Sequence, residues 1–488
     1  MNLSTNLHNL IRQIGPGRMS PTVYDTAWIA RLTEIGEPMS DLALEWLRKN
    51  QLPDGSWGAS QLYYGHDRVI STLAAMNALA RRSRSQDRSH LQRAEDALEP
   101  AIKTLKRDLA GDTVGFELLA PTLMQEVSAL GAIHRNENHL LTELVPQRSA
   151  KLAILPQHMI NRFVTVAFSA EMAGVDNRNL LDVDNLQELN GSVGTSPAAT
   201  AYFALYVNRR DPAALEYLRK VTIQGKAPNV APFDVFEPAW ALWHLILTNL
   251  DSQSLNLCQP HLDHLERTWV PQKGVGFSSE YTPKDGDDTG LVYKVLTSFG
   301  RQVDLDAVLR YESAYYFRCY DLESNPSISA NIHILDALRV AGLEVDHPAV
   351  QKIVRFLWES RVAQAFWVDK WHVSPYYATA HAAIACAGYQ DMIIESAFEW
   401  ILETQNTDGS WGYYLPTAEE TAYSLQALAF CKRQGYKVPD QVFHHASNWL
   451  QDHMDPPYPP LWIGKCLYCP ELVVRAAILS ALILLEQD

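Results

Sequence analysis

The sequence predicts an all-α protein built from repeated helical hairpins, and three observations carry that prediction. Apolar residues recur at helical spacing in stretches such as "SDLALEWLRKN" (40–50) and "IIESAFEWILET" (393–404). Short turns rich in Gly, Pro and Asp separate these stretches, and alternating strand patterns are sparse. The pattern Q-x-x-D-G-S-W-G occurs twice, as "QLPDGSWG" (51–58) and "QNTDGSWG" (405–412), each just after a helical stretch. A degraded third copy is expected at "QKGVGFSS" (272–279). Gly55 and Gly409 permit a tight turn after one helix. Trp57 and Trp411 can stack on the next helix, and Gln51 and Gln405 can bond free helix ends. Stacked hairpins form an open solenoid or a closed barrel, and two strong copies leave both open.

Length and composition bound the rest. The 488 residues exceed one ordinary core, so two large domains are expected. With 47% apolar and 20% charged residues, the composition is that of a soluble globular protein. A net charge of −15 argues against nucleic-acid binding, and an anionic substrate would need a local basic pocket or a bridging cation. The opening "MNLSTNLHNLIRQIGPGRMS" lacks the apolar core of a secretory signal and predicts a short amphipathic helix, so a cytoplasmic protein is expected. No run approaches the roughly 20 apolar residues that span a bilayer, and "AAILSALILLE" (476–486) predicts a core helix. Stable membrane insertion is therefore not expected. Cys466 and Cys469 form one C-x-x-C without the second pair of a zinc ribbon, so the six cysteines read as buried thiols in a reducing cytosol.

The stretch "KDGDDT" (284–289) crowds Asp285, Asp287 and Asp288 together. Like charges this close repel, so at least one should hold its proton well. A calcium loop would need a bidentate Glu where Leu296 stands, and Tyr293 occupies another ligand position. A helix start accounts for acidic residues through the helix dipole, but not for three of them.

These features, with several neighbours in the same order, resemble the class II terpene cyclases. The Q-x-x-D-G-S-W-G segments look like that family's QW repeats, and "DGDDT" looks like its D-x-D-D motif. "SPTVYDTAWIA" (20–30), "HDRVISTLA" (66–74), "VGFELLAPTL" (114–123), "APNVAPFDVFE" (227–237), "VDKW" (368–371) and "WIGK" (462–465) resemble segments of copalyl-diphosphate-synthase-like enzymes. The resemblance implies two α-barrel domains, β and γ, with the active site between them. Residues 1–20 would be the first β helix, 21–264 the inserted γ domain, and 265–488 the β domain carrying the acid. No D-D-x-x-D motif of a class I α domain is found, so the product should keep its diphosphate.

The implied reaction is protonation of the terminal alkene of geranylgeranyl diphosphate, followed by ring closure through tertiary carbocations. In the family the middle Asp is the acid, which maps to Asp287; Asp285 and Asp288 would orient it. An ordinary Asp, with a pKa of about 3.9, is too weak to protonate an alkene, so the enzyme must stabilise the cation. Aromatic faces do this, and "FWVDKW" offers Trp367 and Trp371 four residues apart. Lys151 in "KLAILP" and Lys465 in "WIGK" match positions near the diphosphate, with Arg68 in "HDR" as a further candidate. Magnesium is expected, with Glu117 in "GFE" as the matching acidic residue. The segment "KRDLAGDTVGFE" departs from the plant E-D-x-x-D pattern.

Many plant enzymes of this type hold a deprotonating water with a His in H-S-x-E and an Asn. Here the matching segment is "FSAE", with Phe168 in place of His, and Asn229 in "PNV" matches the Asn. Phe cannot accept a proton, so the bicyclic cation should live long enough for hydride and methyl shifts. A rearranged halimadane or clerodane product follows, with kolavenyl diphosphate the specific expectation and copalyl or halimadienyl diphosphate the alternatives. A separate class I terpene synthase or phosphatase-like enzyme would consume it. Three rivals remain. A squalene-hopene-type triterpene cyclase shares D-x-D-D but is usually longer, with more QW repeats. A helical-repeat scaffold would need no acid triplet. A protein prenyltransferase β subunit would need a zinc ligand set, and none is apparent.

Overall fold

The computed structural model describes residues 2–82, 84–134, 139–321, 323 and 325–487. Its helices close into two rings. In one, Phe236–Leu245, Gly286–Ser298, Ile328–Val340, Pro375–Cys386, Ala418–Arg433 and Glu471–Gln487 pack each on the next, and the last returns to the first. Leu3–Gln13, Ser252–Thr268, Pro348–Glu359, Asp391–Glu403 and Asp440–Asp452 pack outside this ring. The second ring runs through Val23–Arg31, Gly65–Arg82, Phe116–Ala129, the 3-10 segment Thr165–Ala173 and Pro197–Tyr202, which meets Val23–Arg31 again. Closure decides between the two architectures left open by the repeats: the fold is a pair of α-barrels.

Residue pattern separates inner from outer helices. Pro375–Cys386 is buried along its whole length and apolar almost all round. Pro348–Glu359 buries only Ala349, Val350, Ile353 and Leu357, one stripe of an amphipathic helix. Side-chain caps fix where inner helices begin: Thr22, Ser196, Asp285, Ser327 and Thr417 each accept a hydrogen bond from a backbone N–H in the first turn.

The repeat explains how one hairpin is joined to the next. The Trp57, Trp367 and Trp411 indoles donate to the carbonyls of Leu47, Leu357 and Ile401, at 2.7, 2.8 and 2.7 Å. Each carbonyl lies ten residues earlier, at the end of the preceding outer helix. The backbone N–H of each Trp donates to a threonine on the following inner helix: Thr72, Thr379 and Thr421, all at 3.0 Å. Trp367 is thus a repeat residue locked between helices. That corrects its expected place in the substrate pocket. A further copy stands at Gln187–Gly194, "QELNGSVG", where Gln187 bonds the Gly191 carbonyl and the Val193 N–H bonds Thr200. At the expected copy 272–279, the Val275 N–H bonds Thr289 in the same way. Gly55 and Gly409 turn with φ of +90° and +94°, and a Cβ on either would strike the backbone of Arg93 or His445.

Two hydrophobic cores fill the barrels. One gathers Leu3–Ile14 with residues from Val230 to Leu484; the other gathers Val23 to Ala227, together with Cys466. Helix Phe236–Leu245 and most of Ser252–Thr268 lie before residue 265, where the β domain was expected to resume, yet their buried apolar side chains belong to the first core. An antiparallel hairpin, Trp462–Ile463 with Leu467–Tyr468, seals the junction through a small cluster of Ala59, Leu62, Tyr64, Val373, Leu461, Ile463 and Leu467. All six cysteines are buried and unpaired. Among the described residues, no helix is long and apolar enough to cross a membrane.

Candidate active site

A cavity of about 330 Å³ opens between the barrels, lined by residues of both. The N-terminus of the helix Gly286–Ser298 delivers Asp285, Asp287 and Asp288 to its wall. Asp285 is the N-cap, accepting the Asp288 N–H at 2.7 Å. The helix-start reading of the acidic stretch therefore holds, and the other two carboxylates are free to face the cavity. Asp285 Oδ2 and Asp288 Oδ1 are buried without partners. Burial pushes the Asp285 carboxyl up to about 7. It pushes Asp288 well above the usual carboxylate range, with repulsion from Asp285 adding to it.

Asp287 is held differently. Its Oδ2 accepts the Ser329 hydroxyl at 2.9 Å, and its Oδ1 lies 2.5 Å from His333 Nδ1. Both partners sit on the neighbouring helix Ile328–Val340, four residues apart and so on one face. Asp369 clamps the start of that helix, accepting the Ile328 and Ser329 N–H groups at 2.8 and 3.0 Å and lying 3.2 Å from the Ser329 hydroxyl. The other nitrogen of His333 meets His381 Nδ1 at 2.9 Å. Sequence reasoning did not single out Ser329, His333, His381 or Asp369. The only available signal was Asp369 within "VDKW"; a lone His on an apolar helix reads as core.

Aromatic rings form the remaining walls. Trp240 stacks on Phe236 at 3.9 Å between centroids, and Trp462 meets Phe236 edge-on at 5.2 Å. Phe233, Phe277, Tyr281, Tyr320, Trp371 and Tyr468 complete the lining. Burial pushes the Tyr281 and Tyr320 hydroxyls well above their ordinary value, so these rings stay neutral. Phe233, Phe236 and Trp462 come from "APNVAPFDVFE" and "WIGK", segments that carry the resemblance, but sequence reasoning took none of the three as a pocket residue.

The remaining candidates fall into three groups. Phe168, Asn229, Trp371 and Glu117 line the cavity. The Asn229 amide donates to Asp25 at 2.9 Å. Lys151 pairs with Glu117 at 3.2 Å, both partly exposed at the γ side of the cavity. Lys465 and Arg68 are not among the lining residues. The Lys465 ammonium is fully buried against Glu171 (2.6 Å) and Ser196 (2.7 Å), with the Phe168 ring 4.5 Å from it. Arg68 binds Ser56 and the Ala59 carbonyl, at 2.8 and 2.9 Å, and stiffens the first repeat turn. Two of the expected diphosphate ligands are therefore structural ties.

Magnesium typically uses one or two protein carboxylates together with substrate phosphates. Glu117, an oxygen donor at the cavity rim beside a lysine, fits that arrangement. Among the described residues, no three His, Cys, Asp or Glu side chains converge to hold an ion by themselves.

Comparison with known proteins agrees with this geometry. The family model described as "Squalene-hopene cyclase C-terminal domain" matches residues 319–434. The "Type B diterpene cyclase" of Mycobacterium tuberculosis is 45% identical, over 96% of this chain and 96% of that protein. The "(+)-kolavenyl diphosphate synthase" of Herpetosiphon aurantiacus is 31% identical, over 99% of this chain and 97% of that protein. Among solved structures, "ent-Copalyl diphosphate synthase from Streptomyces platensis" matches with a TM-score of 0.80 at 29% identity, covering 99% of this chain and 98% of that one.

Proposed function

The chain belongs to the class II diterpene cyclases, intramolecular isomerases, and on that premise we propose that it converts geranylgeranyl diphosphate into a rearranged bicyclic diterpenyl diphosphate, specifically kolavenyl diphosphate. The observation that carries the cyclase chemistry is the D-x-D-D carboxylates facing an aromatic-walled cavity. Asp287 is the acid in this reading. It gives its proton to the terminal alkene carbon, the alkene electron pair forms the new C–H bond, and the carboxylate left behind is held by Ser329 and His333. Asp285 and Asp288, their carboxyls pushed up by burial, share a proton beside it and add no full double charge. Ring closure then moves the cation along rings each worth about 0.5–2 kcal/mol.

Rearrangement is supported by the surroundings of Phe168. Its ring lines the cavity where a base would end the cascade early, and the Asn229 amide is engaged with Asp25. The named kolavenyl relative adds support for the clerodane skeleton. Halimadienyl diphosphate is the same cascade stopped earlier; copalyl diphosphate is the unrearranged outcome. Lys151 would bind the diphosphate, and Glu117 beside it would hold the magnesium ion. The magnesium ion would neutralise diphosphate charge in a protein of net charge −15. Six unpaired thiols fit a reducing cytoplasm. The product keeps its diphosphate, so the enzyme that consumes it must ionise or hydrolyse that group.

The test is incubation with geranylgeranyl diphosphate and magnesium, enzymatic dephosphorylation, and identification of the alcohol by mass spectrometry and NMR, with Asp287→Ala alongside. Kolavenol absent from the variant supports the reading. An unrearranged copalol keeps the class and refutes the Phe168 argument. Geranylgeraniol alone refutes the substrate.

A further inference from the structure

The repeat copy at 187–194 departs from the intact copies at one buried side chain. Its turn closes as theirs do: the Glu188 N–H donates to the Ser192 carbonyl at 2.8 Å, and the Gly191 N–H donates to the Glu188 carbonyl at 3.0 Å, as at Leu52 and Asn406. Leu52 is half-buried and Asn406 is exposed, whereas Glu188 is buried, at 5% exposure. Its carboxylate leaves the second barrel and closes on Thr282 of the barrel that carries the acid. Oε1 accepts the Thr282 N–H at 3.1 Å, and Oε2 accepts the Thr282 hydroxyl at 2.5 Å. A buried carboxylate is costly unless hydrogen-bonded, and here one residue satisfies both oxygens.

Thr282 directly follows Tyr281, whose ring lines the cavity and stacks on Phe277 at 4.3 Å. The other end of this turn is pinned from within its own barrel. Asp234 accepts the Ser278 hydroxyl at 3.1 Å, and the Ser279 N–H and hydroxyl at 3.0 and 2.6 Å. Among the described residues, Glu188 makes the only hydrogen bonds from the second barrel to residues 278–285. We propose that Glu188 is a positioning residue for Tyr281, fixing where one aromatic face of the pocket meets the carbocation. This rests on reading the cavity as the place where cyclisation runs.

Glu188 is not among the lining residues, so it acts through the turn and not on the substrate. Attraction between a cation and a ring requires an approach within about 6 Å of the centroid. A turn free to shift therefore costs the carbocation-like transition state more than it costs substrate binding. The acid keeps its own supports. The Asp285 N–H donates to the Val275 carbonyl at 2.9 Å, and Lys284 donates to the Tyr281 carbonyl at 3.2 Å, both within one barrel. Loss of Glu188 thus loosens the ring and leaves the acid helix anchored.

The test measures kcat, KM, product ratio and Tm with geranylgeranyl diphosphate for Glu188→Ala, Glu188→Gln, Tyr281→Leu and the double variant Glu188→Ala/Tyr281→Leu. Glu188→Ala should lower kcat about 3- to 30-fold, the worth of one misplaced aromatic face. It should raise the share of minor products and leave KM within about twofold. Glu188→Gln can accept the Thr282 N–H and donate to the Thr282 hydroxyl, so it should restore most of the lost rate. In the Tyr281→Leu background, Glu188→Ala should lower kcat by less than about twofold, because the ring it positions is gone. Should Glu188→Ala fail to fold, Thr282→Val carries the same comparison: it removes the hydroxyl bond alone and should show the same losses in smaller measure. Unsubstituted kcat and product ratio in Glu188→Ala overturn the proposal whatever its Tm, and so does an undiminished loss in the Tyr281→Leu background. Asp287→Ala is run beside these variants. A silent Asp287→Ala with an unaffected Glu188→Ala overturns this proposal alone; product formed by Asp287→Ala overturns the reading of the cavity as well.

Discussion

Lys465 and Glu171 form a fully buried ion pair, 2.6 Å long, that joins the interdomain hairpin to the γ barrel. The Tyr24 hydroxyl adds a third member at 3.0 Å from Glu171. Removing the lysine would strand a buried carboxylate. Lys465→Met should cost about 3–5 kcal/mol, read as a large fall in Tm. The double variant Lys465→Met/Glu171→Gln should recover most of it. A single variant with unchanged Tm and a raised KM would restore the diphosphate role expected from sequence.

Lys151 and Glu117 should behave in the opposite way. Their pair is partly exposed, at 55% and 30%, so its loss should cost no more than about 1 kcal/mol. Lys151→Ala should leave Tm in place and raise KM for the diphosphate substrate several-fold. Glu117→Gln should raise the magnesium concentration needed for half-maximal rate. Titrating magnesium against rate for both variants checks this.

The tryptophans divide along the same line. Trp367→Ala and Trp411→Ala should each lose about 3–5 kcal/mol, because each empties a buried slot and frees a helix-end carbonyl. Trp371→Ala should spare Tm and change kcat or the product ratio, since its ring lines the cavity. Paired melting curves and product profiles distinguish the two classes.

Reading these tryptophans from sequence shows what was legible. Two copies with Gln, Asp-Gly-Ser and Trp intact announced the hairpin repeat. The copy at 187–194 kept Gln187, Gly191 and Ser192 but replaced Asp by Asn190 and Trp by Val193, so it passed unnoticed. The copy at Trp367 lacks the Gln and Gly and keeps the indole clip to Leu357 and the backbone bond to Thr379, contacts visible only after folding. The acid triplet was legible because three carboxylates within four positions have few bland explanations. Its support was not: His333 and His381 lie 48 residues apart, on separate helices that ring closure brings together. Lys465 shows the converse limit. A lysine in a matching motif reads as a phosphate ligand until Glu171, 294 residues earlier in the chain, is seen beside it.

Buried carboxyls also set the pH dependence of stability. Asp285, raised from 3.8 to about 7, binds its proton more tightly in the folded state than in the unfolded one. The fold therefore gains from this group at low pH and loses that gain as pH rises from about 4 to about 7. Asp25, raised by burial to about 6, acts in the same direction. Asp285→Asn should raise Tm at pH 8 relative to the unsubstituted protein, narrow the difference near pH 5, and abolish product formation. Melting curves at both pH values, with a product assay, check this.

The helix Leu3–Gln13 packs against Glu471–Gln487 and Ser252–Thr268, so the barrel carrying the acid is assembled from distant parts of the chain. Everything between, including the whole second barrel, is translated before the closing helix exists. At ribosomal speeds this delay is about 20–90 s. During that interval the amphipathic N-terminal helix, with Leu3, Leu7, Leu10 and Ile11 on one face, has no completed partner surface. The contiguous barrel can reach its native form first and wait as a finished unit. The cyclase pocket thus comes into being after the second barrel, and no nascent chain presents a working acid before Glu471–Gln487 has been made.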